Sequence, residues 1–308
     1  MLKTNPDFRR PAMTMKDVLP LAVMPVMLVI IETGALLLSL PLQEAGLAAF
    51  EDPSSVANPF IFIFILLVFT GFLLFLIRFG FRRIIGGIIG ISIFFTFVYI
   101  FGAVLALLSR DALFVLGGSL LISGIATGVL YLYPEWYVID CFGILIASGA
   151  ASIFGISLEI IPVAILLVIL AVYDAVSVYK TKHMISLAEG VLETKSPILF
   201  VIPRKKGYSY RKEGIGPIGE GERGAFIIGM GDMIMPSILV VSANVFLATA
   251  ARIGPVTIPA LGAMAGSVAG LCLLLVFVKR GRPQAGLPPI NGGALAGFLL
   301  GYLVSLLV

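Results

Sequence analysis

The sequence predicts an all-α polytopic membrane protein with nine transmembrane helices, its N-terminus cytoplasmic and its C-terminus external. Three observations predict it. Of 308 residues, 59% are hydrophobic and 12% charged, where soluble domains carry about 25% charged residues. The apolar residues fall in runs of about 20, the length that takes a helix across a bilayer. The alternating segments of about 10 residues that a membrane β-barrel needs are absent.

The runs lie at 18–40, 58–80, 84–108, 112–133, 136–155, 159–179, 224–249, 255–278 and 286–308. The first follows a polar, basic stretch and is too long for a signal-peptide core, so it is a span; it holds Glu32, read as a hydrogen-bonding partner within the bundle. The third contains Gly86, Gly87 and Gly90, which suit close helix packing. The fifth opens at Trp136, an interfacial anchor, and carries Asp140 near one face. The sixth and seventh carry Asp174 and Asp232. The eighth opens on Pro259-Ala260-Leu261, and the ninth follows Ala285-Gly286-Leu287-Pro288-Pro289. Cys141 and Cys272 lack metal-ligand spacing and read as buried packing thiols.

Connections are short except 180–223, which holds nine Lys and Arg residues. We read one membrane domain, 1–308, made of a six-span part (1–179), a loop (180–223) and a three-span part (224–308). Charge orients it. In an alternating nine-span arrangement, 19 of the 21 basic residues fall on the side of the N-terminus, leaving Arg110 and Arg252 opposite. Basic residues favour the cytoplasmic side. The long loop is therefore cytoplasmic, and the chain reads as a multi-pass integral protein of the cell membrane.

The two aspartates carry the functional argument. A charged side chain at the bilayer centre costs at least about 2.5–3.5 kcal/mol, so an intramembrane acid marks function by default. Asp174 lies about five residues, roughly 8 Å, from the cytoplasmic edge of its span, and Asp232 about eight residues, roughly 12 Å, from its own. The carboxyls can face each other at similar depth. Two aspartates a few ångströms apart do not both ionise easily and hold one proton between them. The charged member can deprotonate a water while the neutral member protonates or polarises a scissile carbonyl. Gly229 and Gly231 before Asp232 allow close backbone approach.

These residues resemble a known family. Tyr173-Asp174, followed by Val178-Tyr179-Lys180, and Gly229-Met230-Gly231-Asp232 on the next helix are similar to the motifs of the presenilin and signal peptide peptidase intramembrane aspartyl proteases. Nine spans with a cytoplasmic loop between six and seven fit the same family, in the compact form of an archaeal presenilin homologue. The resemblance implies an endoprotease acting within transmembrane segments, with Asp174 and Asp232 as the catalytic pair and Tyr173, Gly229 and Gly231 at the border of the site. The family also has a Pro-Ala-Leu motif before its last span. The literal string, Pro259-Ala260-Leu261, lies on the external side and is rejected. The lead-in to the ninth span has the right depth, so Leu287 and Pro288 are expected to border the active site.

The partners implied are transmembrane-helix substrates and the lipid bilayer, with no nucleic acid, no metal and no cofactor; the oligomeric state is open. Pro197–Pro203, β-prone and bracketed by prolines, could lend a strand edge to an extended substrate, or could simply lie on the membrane surface. Asp140 is expected to serve structure or water access, and His183, the only histidine, to be solvated. Two other readings remain at this point. One is a prepilin or preflagellin-type peptidase, although Met233-Ile234-Met235 follows the motif where those enzymes usually have a lysine. The other is a cation channel or proton-coupled transporter with an acid-lined pathway.

Overall fold

Apolar runs become long helices, even across prolines such as Pro25 of the first and Pro236 of the seventh, because each backbone donor and acceptor must be satisfied inside the segment where lipid offers none. The computed structural model describes residues 15–181, 199–205, 207–214, 224–278 and 284–307. Within them lie α1 (Met15–Glu44), α2 (Ala57–Arg78), α3 (Arg82–Leu108), α4 (Ala112–Leu132), α5 (Trp136–Ser157) and α6 (Ile160–Val176), the last continued by a π-helical turn, Ser177–Thr181. Then come strand β1 (Leu199–Pro203), one helical turn at Tyr210–Glu213, β2 (Ala225–Gly229) and α7 (Met230–Phe246). A two-residue hairpin, β3 (Arg252–Ile253) and β4 (Val256–Thr257), leads to α8 (Ile258–Val278) and α9 (Leu287–Ser305). Eight of these helices are long and apolar enough to cross a membrane; α7 is a shorter apolar helix. His183, Pro197 and Ile198 lie outside the described residues.

The segment 224–249 departs from the single helix expected. Its first part pairs antiparallel with β1, from Leu199 opposite Gly229 to Pro203 opposite Ala225. Phe226, Ile227 and Ile228 are strand formers, and Gly229, extended at φ −65° and ψ 135°, ends the strand where α7 begins. An apolar run has no period to read, so strand and helix look alike in such a sequence.

Burial separates centre from rim. Half of the α5 span is buried, against 6% of the α2 span. Small residues make the centre possible: Gly149 of α5 lies against Ile100, and Gly155 against Val241 of α7. The closest helix pair is α8 with α9. Gly262, Gly266 and Gly270 meet Gly293, Gly297 and Gly301 so tightly that a Cβ on Gly266 would strike the Gly293 carbonyl. This is a small-xxx-small seam, in which bare backbones touch. Glu32 is fully buried in α1, and the Ser267 hydroxyl donates to its Oε1 at 2.6 Å.

Two expectations need correction. Cys141 and Cys272 are exposed on the outside of the bundle, where lipid would meet them; a thiol is apolar enough for that surface. Among the described residues, Gly86 and Gly87 have nothing within 4 Å of a would-be Cβ, and of the three only Gly90 makes room, for the Tyr131 hydroxyl at 3.1 Å.

Candidate active site

Three chain ends converge on the two aspartates. Asp174 is near the C-terminal end of α6, and Asp232 is in the first turn of α7. The third is the lead-in to α9, residues 284–287. The Leu287 amide donates to Asp174 Oδ2 at 3.0 Å. Leu287 is the first residue of α9, and its helix has no side-chain cap of its own. Asp174 therefore supplies from another helix the acceptor that an N-cap residue would provide.

Gly286 faces the other aspartate as well. A Cβ on it would sit 2.9 Å from Asp232 Oδ2 and 3.2 Å from its Cγ. The Gly286-Leu287 backbone thus touches both carboxyls, and the two carboxyls interact electrostatically. Asp174 is buried, while Asp232 is partly exposed. Both α7 and α9 direct their N-terminal ends at the pair, where the helix dipole favours negative charge.

A second contact fixes the same lead-in. The Tyr179 hydroxyl donates to Gln284 Oε1 at 2.9 Å and accepts from the Ala285 amide at 3.4 Å. Tyr179 lies in the π turn, whose ladder runs from i to i+5. Asp174 and Tyr179 are five apart, so the widened turn helps bring both to one stretch of chain. π turns are frequent at functional sites.

Of the residues singled out in the sequence, the structure brings Asp174, Asp232, Gly229 and Leu287 together. Gly229 lies 3.5 Å from Asp232 Oδ2, measured from its would-be Cβ. Pro288 is in the first turn of α9 beside Leu287. Tyr173 precedes Asp174 and is partly exposed. Gly231 is exposed, with open space where a side chain would go, so no backbone among the described residues approaches it closely. Pro259-Ala260-Leu261 opens α8 immediately after the β3–β4 hairpin; Thr257 there accepts from Ala260 and donates to Ala243, near the far end of α7 from Asp232. Gly286, Tyr179 and Gln284 were missed as contact residues.

The β1–β2 sheet joins the site as well, because β2 runs directly into the helix bearing Asp232. Val201 of β1 donates its amide to Asp140 Oδ1 at 2.8 Å. Beyond β1, the Glu135 carboxylate accepts from the Ser209 hydroxyl at 2.7 Å and the Tyr210 amide at 3.1 Å. Tyr208 donates to the Gly214 carbonyl at 2.7 Å, and burial pushes its hydroxyl up to about 12.

The sequence profile of the family described as signal-peptide peptidase, presenilin aspartyl protease matches residues 25–307. The chain belongs to that family. Two solved structures of a presenilin family intramembrane aspartate protease, in C222 and P2 space groups, are each 50% identical to it. The first covers 92% of this chain and 99% of its own, with a TM-score of 0.70; the second covers 93% and 98%, with a TM-score of 0.68. A comparison with curated proteins gives no match. The protein is an intramembrane aspartyl protease with a presenilin-like fold and a multi-pass membrane location. The family decides for this protease over the preflagellin-type peptidase and the acid-lined conduit.

Proposed function

We propose that Asp174 and Asp232 are the catalytic dyad and that they cut peptide bonds inside transmembrane segments. The observation that carries this is the Gly286-Leu287 backbone in contact with both carboxyls. Asp174 already accepts the Leu287 main-chain amide, which suits it to remain the anion and take a proton from water as its oxygen attacks the scissile carbonyl. Asp232, reached by no such donor among the described contacts, is suited to carry the proton that goes to the departing amine. Collapse of the tetrahedral intermediate breaks the C–N bond.

Substrate geometry follows from strand phase. The Val201 amide is taken by Asp140 and so points away from β2. Arg204 donates to the Gly224 carbonyl at 2.8 Å, in the opposite phase. Antiparallel pairs alternate in this way, so the outward groups of β2 belong to Ala225, Ile227 and Gly229. The outer edge of β1 is spoiled as a donor row, because Asp140 occupies one amide and Pro203 has none. The strand edge left for an extended substrate is therefore that of β2, three residues before Asp232, and not that of the 197–203 run. A substrate strand laid there gains main-chain hydrogen bonds as its helix unwinds.

Nine spans in one membrane domain, with the N-terminus cytoplasmic, complete the proposal; the basic residues on one side support it. The preferred substrates then carry cytoplasmic C-termini. A reporter fused after Val308 that proves cytoplasmic overturns this orientation. For the dyad, purified protein in vesicles should cut a single-span peptide, and Asp174→Asn or Asp232→Asn alone should abolish cutting; normal cutting by either variant sinks the assignment.

A further inference from the structure

We infer that Asp140 and Gly143 of α5 are positioning residues that set where along a substrate the dyad cuts. The inference rests on the reading that substrate pairs with β2. The two residues stand three apart on α5 and so share one face of the helix. Asp140 holds β1 by the Val201 amide at 2.8 Å. Gly143 leaves a notch that two side chains enter from different elements. A Cβ there would sit 2.7 Å from Met230 Cε and 2.9 Å from Phe200 Cε1. Phe200 is the second residue of β1 and fully buried; Met230 is the first residue of α7, two before Asp232.

One patch of α5 therefore grips both the sheet and the start of the helix that bears the acid. The carboxylate fixes β1 along its own axis, since a single amide meets it. The notch fixes β1 and Met230 to each other. β2 follows β1 through their ladder, and a substrate strand follows β2. The spacing between substrate residues and Asp232 is thus referred back to α5. A strand advances about 3.3 Å per residue, so a small slip of the sheet brings a different peptide bond over the dyad. Asp140 also blocks strand addition on the wrong edge, which leaves one docking direction.

The test uses full-length enzyme in vesicles and a synthetic single-span peptide with a Leu/Val core, with product ends read by mass spectrometry. Asp140→Leu removes the acceptor, whereas Asp140→Asn keeps an Oδ1 acceptor for Val201. The expected result is a redistribution of cleavage sites in Asp140→Leu, with the share of the main site falling at least threefold. Asp140→Asn restores the wild-type pattern. Gly143→Ala displaces the Met230 methyl and the edge of the Phe200 ring, and it carries the test if Asp140→Leu does not fold; it too should spread the product ends. Unchanged product ends in the folded variants, whatever the change in rate, overturn the inference. Loss of the dyad assignment reads out separately, as cutting that survives Asp174→Asn or Asp232→Asn.

Discussion

Gly286→Ala separates the chemistry of the site from the stability of the fold. The new Cβ would lie 2.9 Å from Asp232 Oδ2, where ordinary contact begins at 3.4 Å, so the carboxyl must retreat by about 0.5 Å. A 1 Å misplacement at a reacting centre can cost about 100-fold, so half of that is worth about tenfold in kcat. The fold has little reason to suffer. Gly286 sits at φ −78° and ψ −44°, a conformation alanine adopts freely. Replacing glycine there contributes about 0.4–1 kcal/mol through the unfolded chain, which offsets an off-rotamer Asp232 at about 0.5–1.5 kcal/mol. The melting temperature should stay within about 3 °C, while turnover of a single-span peptide drops. Wild-type kcat in Gly286→Ala, or a melting temperature that collapses with activity, refutes the placement of this glycine between the acids.

Other expectations follow from the same contacts. Gly266→Ala drives a methyl into the Gly293 carbonyl and should cost about 1–3 kcal/mol by overpacking, seen as a lower melting temperature; an unchanged one contradicts the seam. Tyr179→Phe removes the partner of Gln284 and Ala285 at an exposed position, worth about 0.5 kcal/mol or a two- to threefold loss of kcat, and equal rates in the two proteins rule out a role for that hydroxyl. For Tyr208, the folded value of about 12 lies above the usual tyrosine value of 10. The unfolded chain then releases its proton first, so stability present below pH 10 is lost as pH rises from 10 to 12. Thermal melts across that range should show the fall, and Tyr208→Phe should flatten it.

The acids and the helices were legible because both announce themselves chemically. Asp174 and Asp232 stand out against hydrocarbon-forming neighbours, and about 20 apolar residues admit few alternatives to a helix. The β-prone character of 197–203 was also visible, although its use was not. What stayed hidden depends on absent side chains and on partners far away in sequence. Gly286 matters because it has no Cβ near a carboxyl on another helix, and nothing in Ala285-Gly286-Leu287 says which carboxyl. Gly262, Gly266 and Gly270 show a four-residue spacing, as do Gly293, Gly297 and Gly301, but spacing does not name the opposing helix. Asp140 looked like a bordering acid; it is the acceptor for a strand that a sequence without period could not place. The division of 224–249 into strand and helix failed for that same lack of period.

Asp174 terminates a neighbouring helix as well as facing Asp232, and this matters for anyone trapping a substrate on an inactive enzyme. Silencing the protein with alanine at position 174 also removes the tertiary stopper from the last helix, so its first turn is free to fray. Disabling position 232 instead leaves that stopper in place. The second choice should preserve the resting architecture around a captured peptide more faithfully.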